Sequence, residues 1–261
     1  MTDTPLMLDR DDRGVVTLTM HDPDRHNAMS PAMIAALGDA FARLADETAC
    51  RVVCLAGAGP SFSAGGDLAW MQAQIDATRT QRMAEAGKLA ALLRQMDQFP
   101  KPLIGYVTGN AFGGGIGLMA VCDETIVADT ARFGLTEARL GLIPATISPY
   151  VIARIGAAAA RRLFLSARMF DSVEAVQIGL ASLAAPADDL PVLLASRLDS
   201  YLAASPAAAA AAKALVRQLT RPIDDAVIAK TIDALADCWE QPDAREGVAA
   251  FFAKRRPAWR R

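Results

Sequence analysis

Short hydrophobic runs alternate with helical patterns along the first two-thirds of the chain. Runs of apolar and β-branched residues bounded by turn residues predict buried strands, and these runs are VVTLTM (15–20), RVVCLAG (51–57), PLIGYVTG (102–109) and TIVAD (125–129). A helix is predicted after the first run, because Ser30 is a good N-capping residue and Pro31 suits the first helical position. This strand–helix–strand rhythm predicts an α/β layer fold.

The remainder of the chain carries helical patterns only. Three helical segments follow one another with short breaks: LPVLLASRLDSYLAA, SPAAAAAAKALVRQL and DDAVIAKTIDALADCWE. Ser205 and Pro206 predict a capped start for the alanine-rich segment. Because no Gly/Ser-rich or Pro-rich linker divides the chain, we predict one domain, with an α/β core over residues 1–187 and a helical region over residues 188–261.

Two glycine-rich turns each lie between a predicted strand and a predicted helix. GNAFGGGIGLMAVCD (109–123) contains three consecutive glycines at 113–115, and PSFSAGGDLAWM (60–71) contains Gly65 and Gly66. Glycine lets a ligand approach the backbone closely, and a helix N-terminus presents free N–H groups. A tight strand–helix crossing would explain one such turn equally well. Two together predict a pair of N–H donors that converge on one oxygen, an oxyanion hole for a thioester becoming an enolate.

Composition excludes several other classes of function. With only two histidines, His21 and His26, a multi-histidine metal site or a Ser-His-Asp triad is hard to assemble, so no metal is predicted. A formal net charge of −2 gives no electrostatic reason to expect nucleic acid or an anionic membrane as a partner. The uncharged run over residues 103–122 is long enough for a membrane span. Its glycines fit a buried strand, turn and helix better, and no membrane is expected.

The cysteines and the N-terminus predict a compartment. Cys50, Cys54, Cys122 and Cys238 show neither disulfide nor zinc spacing, and the first two are predicted to be core thiols. The N-terminal segment is acidic and lacks the apolar stretch of a signal peptide. We therefore expect a reducing, cytoplasmic location.

The motifs, taken together, resemble those of the crotonase (enoyl-CoA hydratase/isomerase) superfamily. The matching segments are SFSAGGDL, GNAFGGGIGLMAVCD, ARFGLTEARLGLIP, the early coenzyme A-binding turn HDPDRHNAM and the closing helix EGVAAFFAKRRPAW. They span nearly the whole chain in the family's order. The resemblance implies a spiral of ββα units with C-terminal helices that build a homotrimer, often stacked as a hexamer.

The resemblance also implies roles for individual residues. Gly66 and Gly114 fall at the two oxyanion-hole positions, and Glu137 falls at the position of a catalytic glutamate. The residues implied to bind the substrate and its coenzyme A are Arg25, Ala28, Ala64, Asp67, Leu68, Phe251 and Lys254. Asp67 also opens a helix, and capping is its main predicted role. Coenzyme A is part of the substrate, and no further cofactor is expected.

One position departs from the family pattern. Two-acid hydratases resembling this chain carry a first glutamate where Gly117 stands, so only Glu137 remains of the pair. Either Glu137 alone handles water and proton, or another group orients the water, or the reaction is not hydration. As a general base in an apolar pocket, Glu137 would have a raised pKa. Asp123 and Glu124 are predicted to lie past the end of the active-site helix and not to replace the missing acid.

Finer details resemble bacterial methylglutaconyl-CoA hydratases of leucine breakdown and the similar isohexenylglutaconyl-CoA hydratases. The segments concerned are SAGGDLAWM, PATISPYVIARIG and KRRPAW, together with the pairing of Gly117 with Glu137. The resemblance implies hydration of a branched 2-enoyl-CoA that carries a second carboxylate. Arg139 and Arg168 are candidate cations for that carboxylate, and helix 71–99 and loop 143–151 are the expected pocket walls.

Two alternatives stay open at this level. One glutamate suffices for a double-bond isomerase, which moves a proton between C4 and C2 of the acyl chain. A non-catalytic coenzyme A-binding or RNA-binding relative is the other alternative. The segment DATRTQRMAEAGKLAALLRQMD nearly balances its basic and acidic residues, which indicates a solvated helix face and not an RNA-binding one.

Overall fold

The computed structural model describes residues 4–220 and 223–260. Its strands form two sheets. The strands are β1 (Leu6–Arg10), β2 (Val15–Met20), β3 (Val52–Gly57), β4 (Ser61–Ser63), β5 (Leu103–Val107), β6 (Asn110–Phe112), β7 (Glu124–Ala128), β8 (Arg132–Gly134), β9 (Met169–Asp171) and β10 (Leu183–Ala185).

The described helices surround these sheets and fill the C-terminal part of the chain. They are α1 (Pro31–Asp46), α2 (Leu68–Gln74), α3 (Arg79–Asp97), α4 (Gly114–Ala120), α5 (Ser148–Ser166), α6 (Ser172–Gln177), α7 (Leu190–Leu202), α8 (Pro206–Leu219), α9 (Asp225–Glu240) and α10 (Pro242–Phe252). Two single-turn 3₁₀ helices, Pro23–Arg25 and Glu137–Leu140, complete the described elements.

Strand order shows a repeating unit. The large sheet has the order β1-β2-β3-β5-β7-β10, and the small sheet has the order β4-β6-β8-β9. In the pairs β3/β4, β5/β6 and β7/β8, the first strand joins the large sheet, the second joins the small one, and a helix follows. All pairings within the repeats are parallel, and only the outer strands β1 and β9 pair antiparallel. This arrangement confirms the predicted α/β spiral of ββα units.

Two hydrophobic clusters hold the fold together. The main core packs the large sheet against the surrounding helices, and within it Phe41 of α1 meets Phe99 edge-on at 5.2 Å between ring centroids. Aromatic pairs in this geometry stabilise beyond the burial of their area. A smaller cluster joins α2, α9 and α10 through Met71, Trp239 and Val248. The second cluster attaches the C-terminal helices to the region where the glycine turns lie.

Most predicted element starts agree with the structure. β2 has the predicted bounds, and Ser30 caps α1 by accepting a hydrogen bond from the N–H of Met33. The strand predicted over residues 102–109 is shorter, because the chain turns after Val107 and enters β6. Ser205 stands at the N-cap position of α8, but its side chain makes no capping hydrogen bond, so that detail of the prediction was wrong.

The cysteines and the long uncharged run both belong to the protein interior. Cys50, Cys54 and Cys122 are buried and unpaired with one another. The run over residues 103–122 divides into β5, β6 and α4, as a buried strand, turn and helix. Among the described residues, no helix has both the length and the hydropathy needed to cross a lipid bilayer.

Candidate active site

The two glycine turns lie against each other. β4 and β6 are parallel neighbours, so the loops that leave their C-terminal ends emerge at the same edge of the small sheet. A Cβ atom placed on Gly65 would lie 2.7 Å from the carbonyl oxygen of Phe112 and 3.3 Å from the backbone nitrogen of Gly114. Gly65 also has a φ of +86°, which L side chains rarely adopt. Both constraints require glycine at this crossing.

This contact brings together the backbone N–H groups of Gly66 and Gly114. Gly114 is the first residue of α4, where a helix leaves its N–H groups without intrahelical acceptors. Among the hydrogen bonds of residues 4–220 and 223–260, neither N–H has an acceptor. By contrast, the N–H of Gly113 donates to the carbonyl of Gly134 at 3.0 Å. The loops therefore present two free N–H donors from adjacent backbone segments, and such donors can stabilise negative charge on an oxygen atom.

Glu137 places its carboxyl group beside these loops. It begins the 3₁₀ turn after β8, and a Cβ atom on Gly113 would lie 3.1 Å from Oε1 of Glu137. The Oε2 atom is buried and has no hydrogen-bond partner. Burial raises the pKa of Glu137 from 4.5 to about 7, and a hydrogen bond with its own backbone opposes that shift. Such a carboxyl is suited to proton transfer near neutral pH.

The glycine loops and Glu137 open into one cavity of about 290 Å³. Its wall is mostly apolar, with polar side chains contributed by Glu85, Thr136, Glu137 and Thr146. No lysine, arginine or histidine is found among its described lining residues. These are Met29, Ile34, Ala64, Gly66, Leu68, Trp70, Met71, Glu85, Ala86, Leu89, Phe112, Gly113, Gly114, Thr136, Glu137, Leu140, Leu142, Ile143, Pro144, Ala145, Thr146, Ile147, Leu235, Trp239 and Phe251.

Both predicted wall segments contribute to the cavity, but their bounds were wrong. Helix 71–99 is divided into α2 and α3, and the loop predicted over 143–151 ends where α5 begins at Ser148. The C-terminal helices add to the wall. α2, α3 and the segment 143–147 all line the cavity, together with Trp239 of α9 and Phe251 of α10. The guanidinium of Arg82 lies 5.6 Å from the centroid of the Trp239 ring, within cation–π range. Arg82 also donates to the carbonyls of Gln74 and Ile75, and so ties α3 to the end of α2. The sequence pattern gave no sign that Trp239 belongs to the site.

Of the residues predicted to bind substrate, Ala64, Leu68 and Phe251 line the cavity. Leu68 and Phe251 are each about half exposed, which places them where the cavity meets solvent. Asp67 is buried, and its Oδ1 accepts a 2.8 Å hydrogen bond from the N–H of Trp70. The predicted helix-capping role of Asp67 is therefore confirmed.

Arg25, Ala28 and Lys254 lie outside the cavity wall. Arg25 is exposed and pairs with Asp22 at 2.9 Å, while Ala28 is buried in the turn before α1. Lys254 is exposed at the end of α10 and has a φ of +51°. Contacts of these three residues with coenzyme A stay predictions.

The cations predicted for a distal acyl carboxylate were assigned wrongly. Neither Arg139 nor Arg168 lines the cavity. Arg168 instead forms a two-armed ion pair with Glu174, at 2.5 and 2.7 Å. Motif order places an arginine near the site in sequence, but the direction of its side chain depends on the packing of the 3₁₀ turn and of β9.

Asp123 and Glu124 lie beyond the end of α4, as predicted. Asp123 pairs with Lys213 at 2.7 Å, and Glu124 pairs with Arg197 at 3.2 Å. Through these ion pairs, Asp123 contacts α8 and Glu124 contacts α7. Neither lines the cavity, so neither takes the place of an acid at position 117.

Comparisons with a protein-family model and with known proteins place the chain in a family. A family model described as enoyl-CoA hydratase/isomerase matches residues 10–261. A 2,3-dehydroadipyl-CoA hydratase from Escherichia coli is 32% identical over 261 residues, which cover 97% of each chain. The chain therefore belongs to the enoyl-CoA hydratase/isomerase family, within the crotonase superfamily.

Solved structures of similar sequence have the same fold as this chain. The crystal structure of an enoyl-CoA hydratase from Shewanella pealeana is 36% identical, with a TM-score of 0.80 and coverage of 98% of this chain and 96% of that one. An enoyl-CoA hydratase from Mycobacterium avium is 30% identical, with a TM-score of 0.86 and coverage of 99% and 100%. The α/β architecture is thus that of the family along nearly its whole length.

Proposed function

We propose that this protein adds water reversibly to the 2,3 double bond of a branched 2-enoyl-CoA, with Glu137 as the acid–base group. The observation that carries the proposal is the position of the Glu137 carboxyl. It is buried, its Oε2 has no partner, and its Oε1 lies beside the glycine that precedes α4. The chemistry uses this carboxyl and backbone N–H groups, and it requires neither a metal nor a separate cofactor.

In the proposed mechanism, the thioester oxygen accepts hydrogen bonds from the N–H groups of Gly66 and Gly114. The Glu137 carboxylate takes a proton from water as the water oxygen bonds to C3, and the π electrons move to the thioester as an enolate. The two N–H groups stabilise the charge on the enolate oxygen, and one such donor contributes about 2.7–4 kcal/mol. The carboxyl then returns the proton to C2, so water is consumed and Glu137 is regenerated.

The raised pKa of Glu137 matters because one group must act in both directions. A carboxyl with a pKa of about 7 is substantially ionised at neutral pH and is also a competent proton donor once protonated. An exposed glutamate would be a weaker base by its ordinary pKa. Burial without a charged partner therefore lets the single carboxyl of Glu137 act as both the base and the acid.

Support for a branched acyl group comes from the cavity. Its volume of about 290 Å³ and its lining by Met29, Met71, Leu89 and Trp239 fit a bulky apolar group beyond C3. Apolar area removed from water contributes roughly 25 cal/mol per Å². The proposed acyl class therefore binds through its hydrocarbon part.

A glutaconyl-type acyl group, with a distal carboxylate, is the second candidate. The relative from E. coli is named for 2,3-dehydroadipyl-CoA, which carries such a carboxylate. Two cations lie next to the wall without lining it: Lys88 pairs with the lining residue Glu85 at 2.6 Å, and Arg82 packs on Trp239. We therefore expect a distal carboxylate to bind at the α3 side of the cavity, near Lys88 and Arg82, and not near Arg139 or Arg168.

The test uses two substrates that differ only in that carboxylate. Purified protein is incubated with 3-methylcrotonyl-CoA and with 3-methylglutaconyl-CoA, and products are measured by mass spectrometry. A species heavier by one water, absent with Glu137→Gln, supports hydration, and the ratio of kcat/KM between the two substrates decides the acyl class. Deuterium exchange at C4 without water addition would instead support an isomerase. Intact binding without either reaction would support a non-catalytic relative.

We also propose that the protein assembles as a homotrimer or a dimer of trimers. α8 has no buried residue within one subunit, and Leu215, Val216 and Leu219 on it are exposed. Covering such residues between copies would remove apolar surface from water. Light scattering coupled to gel filtration distinguishes a trimer from a hexamer, and a monomer at micromolar concentration would contradict the proposal.

A further inference from the structure

The space beside Gly117 is filled by Ile147. Gly117 lies in α4, and a Cβ atom placed on it would overlap Cγ2 of Ile147 and lie 3.0 Å from Cβ of Ile147. Cδ2 of Leu93 would lie 3.7 Å away, at ordinary contact distance. Ile147 and Leu93 are both buried. Position 117 has no room for a side chain while Ile147 keeps this place.

The same isoleucine is part of the cavity wall. Ile147 lines the cavity and is only 3% exposed. Its backbone is held on both sides. Ser148 Oγ donates to the carbonyl of Ala145 at 2.7 Å, and Val151 N–H donates to the carbonyl of Ile147 at 3.0 Å in the first turn of α5. The position of the side chain against α4 is therefore set by backbone geometry at the start of α5.

We propose that Ile147 is a specificity-determining residue, which sets the inner boundary of the acyl cavity by seating its side chain against Gly117. Because residue 117 has no side chain, Ile147 lies back against α4 and leaves more depth for the acyl group. The same contact keeps this wall apolar and free of a second carboxylate. The inference rests on the proposed function, since it takes the cavity as the acyl site.

The first test compares acyl groups of different size. For each variant, kcat/KM is measured with trans-2-decenoyl-CoA and with crotonyl-CoA, and the ratio of the two is reported. Ile147→Ala is expected to raise this ratio about tenfold, because one or two methylene groups of pocket space are worth about that factor or more. A ratio cancels any loss of folded protein. Ile155→Ala is the matched control, since Ile155 is buried in α5, the helix that Ile147 precedes, but lies outside the cavity wall.

The second test uses the contact itself. Gly117→Ala is expected to push Ile147 into the cavity, to lower the ratio about tenfold and to lower Tm, because overpacking a filled site is destabilising. In the Ile147→Ala background Cγ2 is gone and only the Cβ atom remains close to position 117, so the same change is expected to leave the ratio nearly unaltered and to lower Tm by less. A smaller loss of Tm in the Ile147→Ala background than in the wild type is the signature of direct contact between the two positions.

The outcomes separate this inference from the proposed function. Hydration of 3-methylcrotonyl-CoA or 3-methylglutaconyl-CoA decides the proposed function. If the wild type hydrates neither straight-chain enoyl-CoA, calorimetric Kd values for decanoyl-CoA and butyryl-CoA test Ile147 through the same ratio. An unchanged ratio in both Ile147→Ala and Gly117→Ala, by kinetics or by binding, would overturn the inference even if hydration is confirmed. Absence of binding to both saturated thioesters would overturn the inference, whereas the proposed function fails only if neither branched enoyl-CoA is hydrated.

Discussion

Gly247 of α10 packs its backbone directly against Leu140, the last residue of the turn that carries Glu137. A Cβ atom on Gly247 would lie 2.8 Å from Cα of Leu140, and one on Gly141 would lie 2.7 Å from the backbone nitrogen of Ala244. Glycines on both sides of the crossing let the helix and the turn meet without intervening side chains. The C-terminal helix thereby supports the turn that carries the Glu137 carboxyl, the proposed acid–base group.

Gly247→Ala is expected to displace this turn. The added methyl group should cost about 1–3 kcal/mol of stability by overpacking. It should also lower kcat at least tenfold with a smaller change in KM, because small errors in the placement of a reacting group are costly. Steady-state kinetics and thermal melts on the same preparations provide the measurement.

The matched control is Gly87→Ala in α3, where a Cβ atom would meet nothing within 4 Å. Alanine at this helical position should stabilise the protein by up to about 1 kcal/mol and leave kcat unchanged. A Gly247→Ala enzyme with normal kcat would show that the crossing is structural only and does not position Glu137.

The pH dependence of hydration should follow the ionisation of Glu137. In the proposed mechanism the reaction begins with the Glu137 carboxylate, and burial places the pKa of this group at about 7. We therefore expect kcat/KM to rise with pH through about 7 and then to level off, as the essential base of the free enzyme becomes ionised. Rates measured from pH 5 to 8.5, with the folded fraction checked by circular dichroism at each pH, test this. A midpoint below pH 5 would show that Glu137 is solvated in the working enzyme.

Glu137→Gln should lose activity and gain stability at alkaline pH. Below pH 4.5 the carboxyl is protonated in both the folded and the unfolded chain, so burial has no electrostatic cost. Between 4.5 and about 7 the unfolded chain ionises first, and stability falls as pH rises. Above pH 7 the full cost remains, about 3 kcal/mol at 1.36 kcal/mol per pKa unit.

Removal of the carboxyl as a base should reduce the rate about 10²–10⁴-fold. Urea unfolding at pH 5 and pH 8.5 measures the stability difference between the wild type and Glu137→Gln. The difference should be larger at pH 8.5 than at pH 5. Equal differences at the two pH values would contradict a raised pKa in the folded state.

Asp67→Ala should weaken the start of α2. Loss of the hydrogen bond to Trp70 N–H is expected to cost about 1 kcal/mol. Leu68 and Trp70 would then hold the mouth of the cavity less firmly, so KM should rise more than kcat falls. Asp67→Asn keeps a capping oxygen and serves as the control. If Asp67→Asn raises KM as much as Asp67→Ala does, the negative charge and not the cap is what substrate binding needs.

The sequence alone was enough to predict features that depend on residues close together along the chain. The bounds of β2, the Ser30 cap of α1 and the Asp67 cap of α2 follow from local periodicity and side chain–backbone hydrogen bonds, and the structure has them where predicted. Three-residue strands such as β8 and β10 are too short to carry a period, so they emerge only from pairing with partners distant in the chain.

Contacts between distant segments were decided only by the tertiary structure. Sequence order placed Arg139 next to Glu137, yet the half-buried glutamate lines the cavity and the exposed arginine lies outside it. Ile147 against Gly117, and Trp239 in the wall, had no local signal, because each depends on how separate helices pack. A residue's type fixes its chemistry, but its depth and direction depend on which elements cover it. The sequence therefore determined which groups exist for catalysis, and packing alone determined which of them meet.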